Sequence, residues 1–329
     1  MISLESAIFL SHLPYRRSIY NNGGWPAIDE GEAIPDIRRK IGGFFRSEVL
    51  DSCERKAEHF LQLYGERGGY EWLYVRENEY PEFLRSIYDP PPVLFFTGAR
   101  PPLSPGIAIV GTRNPAPIIR PAVFQLAGIL KEKNPGNVIV SGFARGVDYL
   151  AHLASVKNKM HTVCVLGSGI FHPSPKSSTE ILAIAEKTNS PLTLLSEFPP
   201  DTEPAAYNFP RRNRLIAGLS ESLIVMQAPE KSGALISARF ALDEGREVYV
   251  FDHPLMEGQG LNEGGRQLLF DGAGILELDF EGKIICRSSI VSQKAQLEFF
   301  EKKFHGDLSW LGADYYFIQK NGDGRELEI

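Results

Sequence analysis

From residue 106 onward the chain alternates between short apolar runs and segments of helical character. The runs are IAIVGT (107–112), NVIVSG (137–142), HTVCVLGSG (161–169), PLTLLSE (191–197), SLIVMQA (222–228) and EVYVFD (247–252). They are nearly continuously apolar, several are β-branched, and Gly, Ser or Asn often punctuates their ends. A strand that is apolar on both faces has to be covered on both faces. Helices between successive strands bring those strands together in parallel. The expected fold is therefore α/β, a doubly wound Rossmann-like parallel sheet. In such sheets ligands bind beyond the carboxyl ends of the strands, so function is sought in the residues that follow each run.

The rest of the chain is organised around that sheet. Residues 1–75 read as a helical N-terminal domain: SLESAIFLSHL with Ser3 as a cap, a Gly/Pro/Asn loop, then SEVLDSCERKAEHFLQLYGERGG as an amphipathic helix stopped by Gly68 and Gly69. Residues 76–105 read as an extended connecting segment, stiffened by Pro90, Pro91 and Pro92, with a short apolar strand near its end. Residues 106–280 form the Rossmann-like domain. Residues 281–329 are a polar tail of unassigned fold in which LEFFEKKF reads as a short helix. Cys53, Cys164 and Cys286 lie too far apart for a metal pair or a disulfide framework, and Cys164, inside an apolar run, reads as a buried structural thiol. The first residues lack a basic n-region and a cleavage site. No apolar stretch reaches the ~20 residues of a membrane helix. The expectation is a cytoplasmic protein, with no metal, no cofactor and no membrane association.

A net charge of −6 gives no support for nucleic-acid binding over the whole surface, yet cations gather locally. In FPRRNRLIAGLS (209–220) Arg211, Arg212 and Arg214 fall within four positions, and no acid lies between Glu203 and Glu221. They stand where a strand gives way to a helix, and cations there oppose the helix dipole. An arriving anion would offset that; so would a neighbouring carboxylate such as Glu197. Other strand ends carry the same chemistry: Gly111, Thr112 and Arg113; Ser141, Gly142, Arg145 and Gly146; Gly167, Gly169, His172 and Lys176; Lys231, Ser232 and Gly233. Glycine turns let a phosphate approach backbone N–H groups, and guanidinium forks match it. The first turn is not the dinucleotide fingerprint, because Arg113 and Pro115 stand where glycines are needed. Phe209 reads either as a core residue or as a ring on which a base stacks. Ser141, Asp148 and His152 invite comparison with a hydrolase triad, but no G-x-S-x-G elbow is present. Asp148 reads as a helix cap and His152 as a packed helix histidine.

Taken in order, YPEFLRSIYDPPPVLFFTG, AIVGTRNP, VIVSGFARGVDYLAH, VCVLGSGI, LLSEFPPDTEPAAYNFPRRNRLIAGLS, SGALISARFALDEGREVYV and LLFDGAG resemble the DNA-processing protein A family (DprA, also called Smf) over roughly residues 80 to 276. The resemblance implies a non-catalytic protein that binds single-stranded DNA in a basic pocket. It also implies that such a protein protects incoming or recombining DNA and delivers it to RecA in natural transformation and recombination, usually as a homodimer. The family's pocket residues carry onto Gly111, Thr112, Arg113, Ser141, Gly142, Arg145, Gly146, Phe209, Arg211, Asn213 and Arg214; the charge pattern adds Lys176, Arg212 and Lys231. Nothing in these segments is built to read base edges, so little sequence preference is expected. The chain departs from the family pattern in GIFHPSPKSST, which is shorter than usual, and at Arg266, where the family has Asn. Its tail carries no winged-helix pattern. Two alternatives stand beside this reading. One is a nucleotide-phosphate hydrolase on a related core, which would need a positioned carboxylate where KSGALIS stands. The other is a RecA-binding scaffold without DNA binding.

Overall fold

In a computed structural model, which describes residues 1–14, 19, 24–65, 67–253, 256, 260–278, 284–287 and 326–327, the apolar runs become the strands of one sheet. They are β1 (Glu71–Tyr74), β2 (Val93–Gly98), β3 (Gly106–Gly111), β4 (Val138–Gly142), β5 (His161–Val165), β6 (Leu192–Ser196), β7 (Ser220–Gln227), β8 (Glu247–Phe251), β9 (Gly274–Leu278), β10 (Ile284–Arg287) and the two-residue β11 (Glu326–Leu327). Among the described residues the order across the sheet is β1-β2-β6-β5-β4-β3-β7-β8-β9-β10-β11. From β6 to β9 every neighbouring pair is parallel. The segment LEFFEKKF lies outside the described residues.

The doubly wound architecture follows from period-two burial. Ile107 and Ile109 of β3 face one core with Ile139 and Ile224, beneath helices α5 (Ile119–Lys133) and α6 (Val147–Lys157). Ala108 and Val110 face the other, with Val140, Val163, Leu223 and Val250. That second face is covered by α8 (Asn208–Gly218) and α9 (Ala234–Asp243), whose Ala234, Ala238 and Ala241 let the helix lie close to the sheet. Two-sided burial is why apolar residues dominate both faces of these strands, and why polar ones among them, such as Ser141, Thr162 and Gln227, are buried too. Helices α7 (Glu180–Thr188) and α10 (Glu263–Phe270) complete the alternation.

The N-terminal region adds α1 (Leu4–Ser11), α2 (Ile34–Ile41), α3 (Ser47–Tyr64) and the single turn α4 (Glu82–Arg85). Ser3 caps α1 as expected, its Oγ accepting from the Ser6 N–H at 3.1 Å. Helix α3 stops earlier than expected, at Gly65 rather than Gly68: glycine is a weak helix former, and its N–H makes the last helical bond, to Leu61 O. The segment read as a connector supplies β2, which pairs antiparallel with β6 from Phe95↔Ser196 to Gly98↔Thr193. Phe9, Ile37 and Phe60 thereby join Phe95, Phe96 and Leu195 in one continuous core. No helix among the described residues is long and apolar enough to cross a membrane.

β3 has β4 on one side and β7 on the other, so the chain changes winding direction between β3 and β7. A crevice opens at such a switch point, at the carboxyl ends of the strands.

Candidate nucleic-acid interface

The turn after β3 is tied across the switch point by its backbone, with Thr112 N–H donating to Gln227 O at 2.8 Å. Gln227 is fully buried; its Oε1 accepts from Ala116 N–H (2.8 Å) and its Nε2 donates to Leu261 O (3.0 Å). The turn after β4 is drawn against the first one: Val147 N–H donates to Thr112 O at 3.1 Å. Gly146 has φ +80°, and a Cβ there would run into Thr112 O and the backbone of Arg113. Only glycine both adopts that backbone and leaves that space. The result is a double turn from which the side chains of Arg113 and Arg145 project, both exposed. Arg145 Nε donates to Ser177 Oγ at 3.0 Å, which brings the exposed Lys176 of the segment after β5 to the same rim.

Helix α8 closes the site from above, and its four-residue cation cluster divides by helical phase. Arg211 points outward, with 46% of its side chain exposed; it reaches Glu197 at 3.1 Å and lies over the Phe198 ring at 5.5 Å. Arg214 is buried and bidentate to Glu197 (2.8 and 2.7 Å), with a further bond to Asp89 at 3.1 Å. Burial alone would lower its pKa, but Glu197 and Asp89 outweigh that and raise it. Arg212 is also buried, donating to Val165 O at the end of β5. Its pKa is lowered to about 10, first by burial, with Asp148 the main opposing influence. Of the three arginines grouped in the sequence, Arg212 and Arg214 point into the protein, where Asp148 stands near the first and Glu197 and Asp89 pair with the second.

Ser141 and Gly142 are also buried rather than displayed. Ser141 Oγ donates to Ile109 O at 2.6 Å. A Cβ on Gly142 would strike Asp148 Oδ2 and both terminal nitrogens of Arg212, so this glycine makes room for a buried charge pair. Burial raises the Asp148 carboxyl to about 6, with Arg212, the Ala144 N–H, Ser141 and Arg113 pulling it back down. The triad arrangement does not form. The Gly142 carbonyl can only accept, so His152 carries its proton on Nε2, and Nδ1 faces Thr162 Oγ1 at 2.7 Å. Burial lowers this ring to about 4. Cys164, buried beside them, is a free thiol pushed upward by burial.

Phe209 is half-buried with its ring against Gly167, where a Cβ would collide with it. Asn213 Nδ2 donates to Gly233 O at 3.3 Å, which links α8 to the turn carrying the exposed Lys231. Gly111 and Thr112 are partly exposed at the switch point. The surface of this edge therefore carries Arg113, Arg145, Lys176, Arg211 and Lys231, with glycine turns between them. It can take a polyanion laid across several strand ends. Tyr207, two residues before Phe209 and 78% exposed, was not singled out from sequence; a lone aromatic in a turn carries no periodic signal. Gln227 and the buried Asn262, which accepts from Ala228 N–H at 2.9 Å and donates to Asp252 at 2.8 Å, were also missed. Arg266 pairs with the same Asp252 at 3.0 Å.

The family model for DNA recombination-mediator protein A matches residues 71–282. The DNA processing protein DprA of Bacillus subtilis (strain 168) is 44% identical over 204 residues, 61% of this chain and 67% of that protein. The X-ray structure of DNA processing protein A from Streptococcus pneumoniae superposes with a TM-score of 0.67 at 27% identity, covering 90% of this chain and 98% of the other. A structure of DNA processing protein A from Helicobacter pylori, described for its single-stranded DNA binding mode, gives a TM-score of 0.52 at 30% identity, over 62% of this chain and 89% of the other.

Proposed function

The chain belongs to the DNA recombination-mediator protein A family, and from that premise we propose that it binds single-stranded DNA along the carboxyl edge of its sheet and delivers it to RecA. The observation that carries this reading is the edge itself. Five exposed cations from five separate segments, Arg113, Arg145, Lys176, Arg211 and Lys231, line it in a protein whose net charge is −6. Single-strand binders combine cations that track phosphates with aromatic faces for bases; Phe209 supplies such a face here. The glycine turns add backbone N–H groups, and contacts of that kind position a strand without reading its sequence. Arg212 and Arg214 act one layer below, holding α8 in place. The protein does no chemistry on the DNA in this reading, and it works in the cytoplasm as a homodimer. Residues 106–280 are its DNA-binding domain and residues 1–75 its helical domain. The likeness to the Helicobacter pylori protein, described for its single-stranded DNA binding mode, supports the assignment.

The test is fluorescence anisotropy of labelled oligo-dT and of a matched duplex at two salt concentrations. Preference for the single strand is expected, with affinity falling steeply as salt rises, because bound phosphates release counterions. Absence of binding at low salt would overturn the reading.

A further inference from the structure

The segment that departs from the family pattern, GIFHPSPKSST, is held from two sides. On the sheet side it is zipped to the loop after β6: Gly169 N–H donates to Thr202 O at 2.8 Å, Phe171 N–H to Pro200 O at 2.9 Å, and Ser196 Oγ to Ser168 O at 2.7 Å. On the other side the Phe171 side chain enters an aromatic cage built by the N-terminal region. Phe60 stacks on it (centroids 6.3 Å apart, planes at 18°), while Tyr64 (5.5 Å, 64°) and Tyr70 (5.4 Å, 81°) meet it at steep angles. The Arg67 guanidinium covers the ring, 3.7 Å from its centroid. These geometries suit the ring quadrupole. Five residues on, the same segment presents Lys176, and Ser177 receives the Arg145 hydrogen bond. The loop zipped to it runs on through Tyr207 into α8 and Phe209. One anchor therefore serves both segments that wall the groove on this side.

We propose that Phe171 is a positioning residue through which the N-terminal helical region sets the outer wall of the DNA groove. The inference rests on the DNA-binding reading above. Phe171 touches no phosphate; it fixes where Lys176, Ser177 and Arg145 stand when one arrives. Truncating it frees the segment on the N-terminal side, and the cation it carries, Lys176, then has to be ordered at each binding event.

The experiment compares the full chain with Phe171→Ala, Tyr64→Ala and the double variant, using labelled oligo-dT across a salt series. Each single variant is expected to bind about fivefold to tenfold more weakly, equivalent to about one phosphate contact. The slope of log affinity against log salt should flatten by about 0.7, the value for one lost phosphate on a single strand. Because both residues act through one cage, the double variant should be no weaker than the worse single. Tyr64 lies on the N-terminal side of the cage, so an effect there reports the cage itself. Tyr64→Leu keeps the apolar volume and replaces any variant whose thermal melt shows unfolding. Wild-type affinity and slope in the Phe171 and Tyr64 variants would overturn the inference and leave DNA binding standing. Failure of the unmodified protein to bind oligo-dT would overturn both.

Discussion

Acidification should destabilise the Asp148→Asn variant more than the unmodified protein, and the size of the difference follows from two buried groups with opposed shifts. His152, enclosed between the Gly142 carbonyl and the Thr162 hydroxyl, titrates at about 4 instead of 6.5 because burial disfavours its cation. Asp148, one helical turn earlier, titrates at about 6 instead of 3.8 because burial disfavours its anion. Between pH 6.5 and 4 the unfolded chain binds a proton at His152 that the folded chain refuses. The stability this ring contributes is fully present above pH 6.5 and lost on acidification, by about 2 kcal/mol between pH 7 and 5. Between pH 6 and 3.8 the folded chain binds a proton at Asp148 that the unfolded chain does not. That relieves the burden of a buried anion and returns about 1 kcal/mol over the same interval. The second effect offsets part of the first in the unmodified protein. Asp148→Asn removes the second and leaves the first. Urea denaturation at pH 7 and pH 5 should therefore show the variant losing about 1 kcal/mol more than the parent. All other titrating groups act alike in both proteins and drop out of the difference. Equal losses in parent and variant would refute the reasoning, and a His152→Gln variant that lost as much stability as the parent on acidification would refute its other half.

Other substitutions separate surface roles from interior ones. Arg113→Ala and Arg211→Ala should each weaken oligo-dT binding by about fivefold to tenfold, the equivalent of one charge-assisted contact, with thermal unfolding unchanged; anisotropy and a melt on the same samples decide it, and undiminished affinity in both would remove these residues from the site. Arg214→Ala should behave in the opposite way, losing about 3–5 kcal/mol of stability in urea titrations, because the buried Glu197 loses its bidentate partner and keeps only the half-exposed Arg211, while Asp89 loses its own ion pair; a melt within a degree of the parent would contradict the ion-pair assignment. Gly146→Ala should lower stability by at least about 1 kcal/mol, since φ +80° disfavours a Cβ and the space is taken by Thr112 O, and a neutral result by calorimetry would show that the double turn can open.

Where the pattern along the chain was continuous, it was enough to read the structure. Runs such as Ile107–Val110 and Leu223–Met226 are apolar at odd and even positions alike, which only a sheet covered on both faces can satisfy, and the order of the motifs named the family. The same local logic pointed to the carboxyl edge of the sheet, because glycines and cations recur after successive strands there. The arginine cluster marks the limit of that logic. Arg211, Arg212 and Arg214 are chemically identical in the sequence, and the helix phase that turns Arg211 outward and the other two inward has meaning only once α8 is seated on β4 and β5. Their partners, Glu197, Asp89 and Asp148, are separated from them by between 14 and 125 residues of chain. Glu197 could be guessed as a partner from its place at a strand end; the convergence of Asp148 and Arg212 over Gly142 could not. The Phe171 cage is a stronger case, since Phe60, Tyr64 and Tyr70 lie about a hundred residues upstream, in a region whose own periodicity reports only that it is helical. Periodicity records which side of an element is buried, and it is silent on what that side is buried against. The distribution of charge between surface and interior depends on the second quantity, which exists only after distant segments have packed.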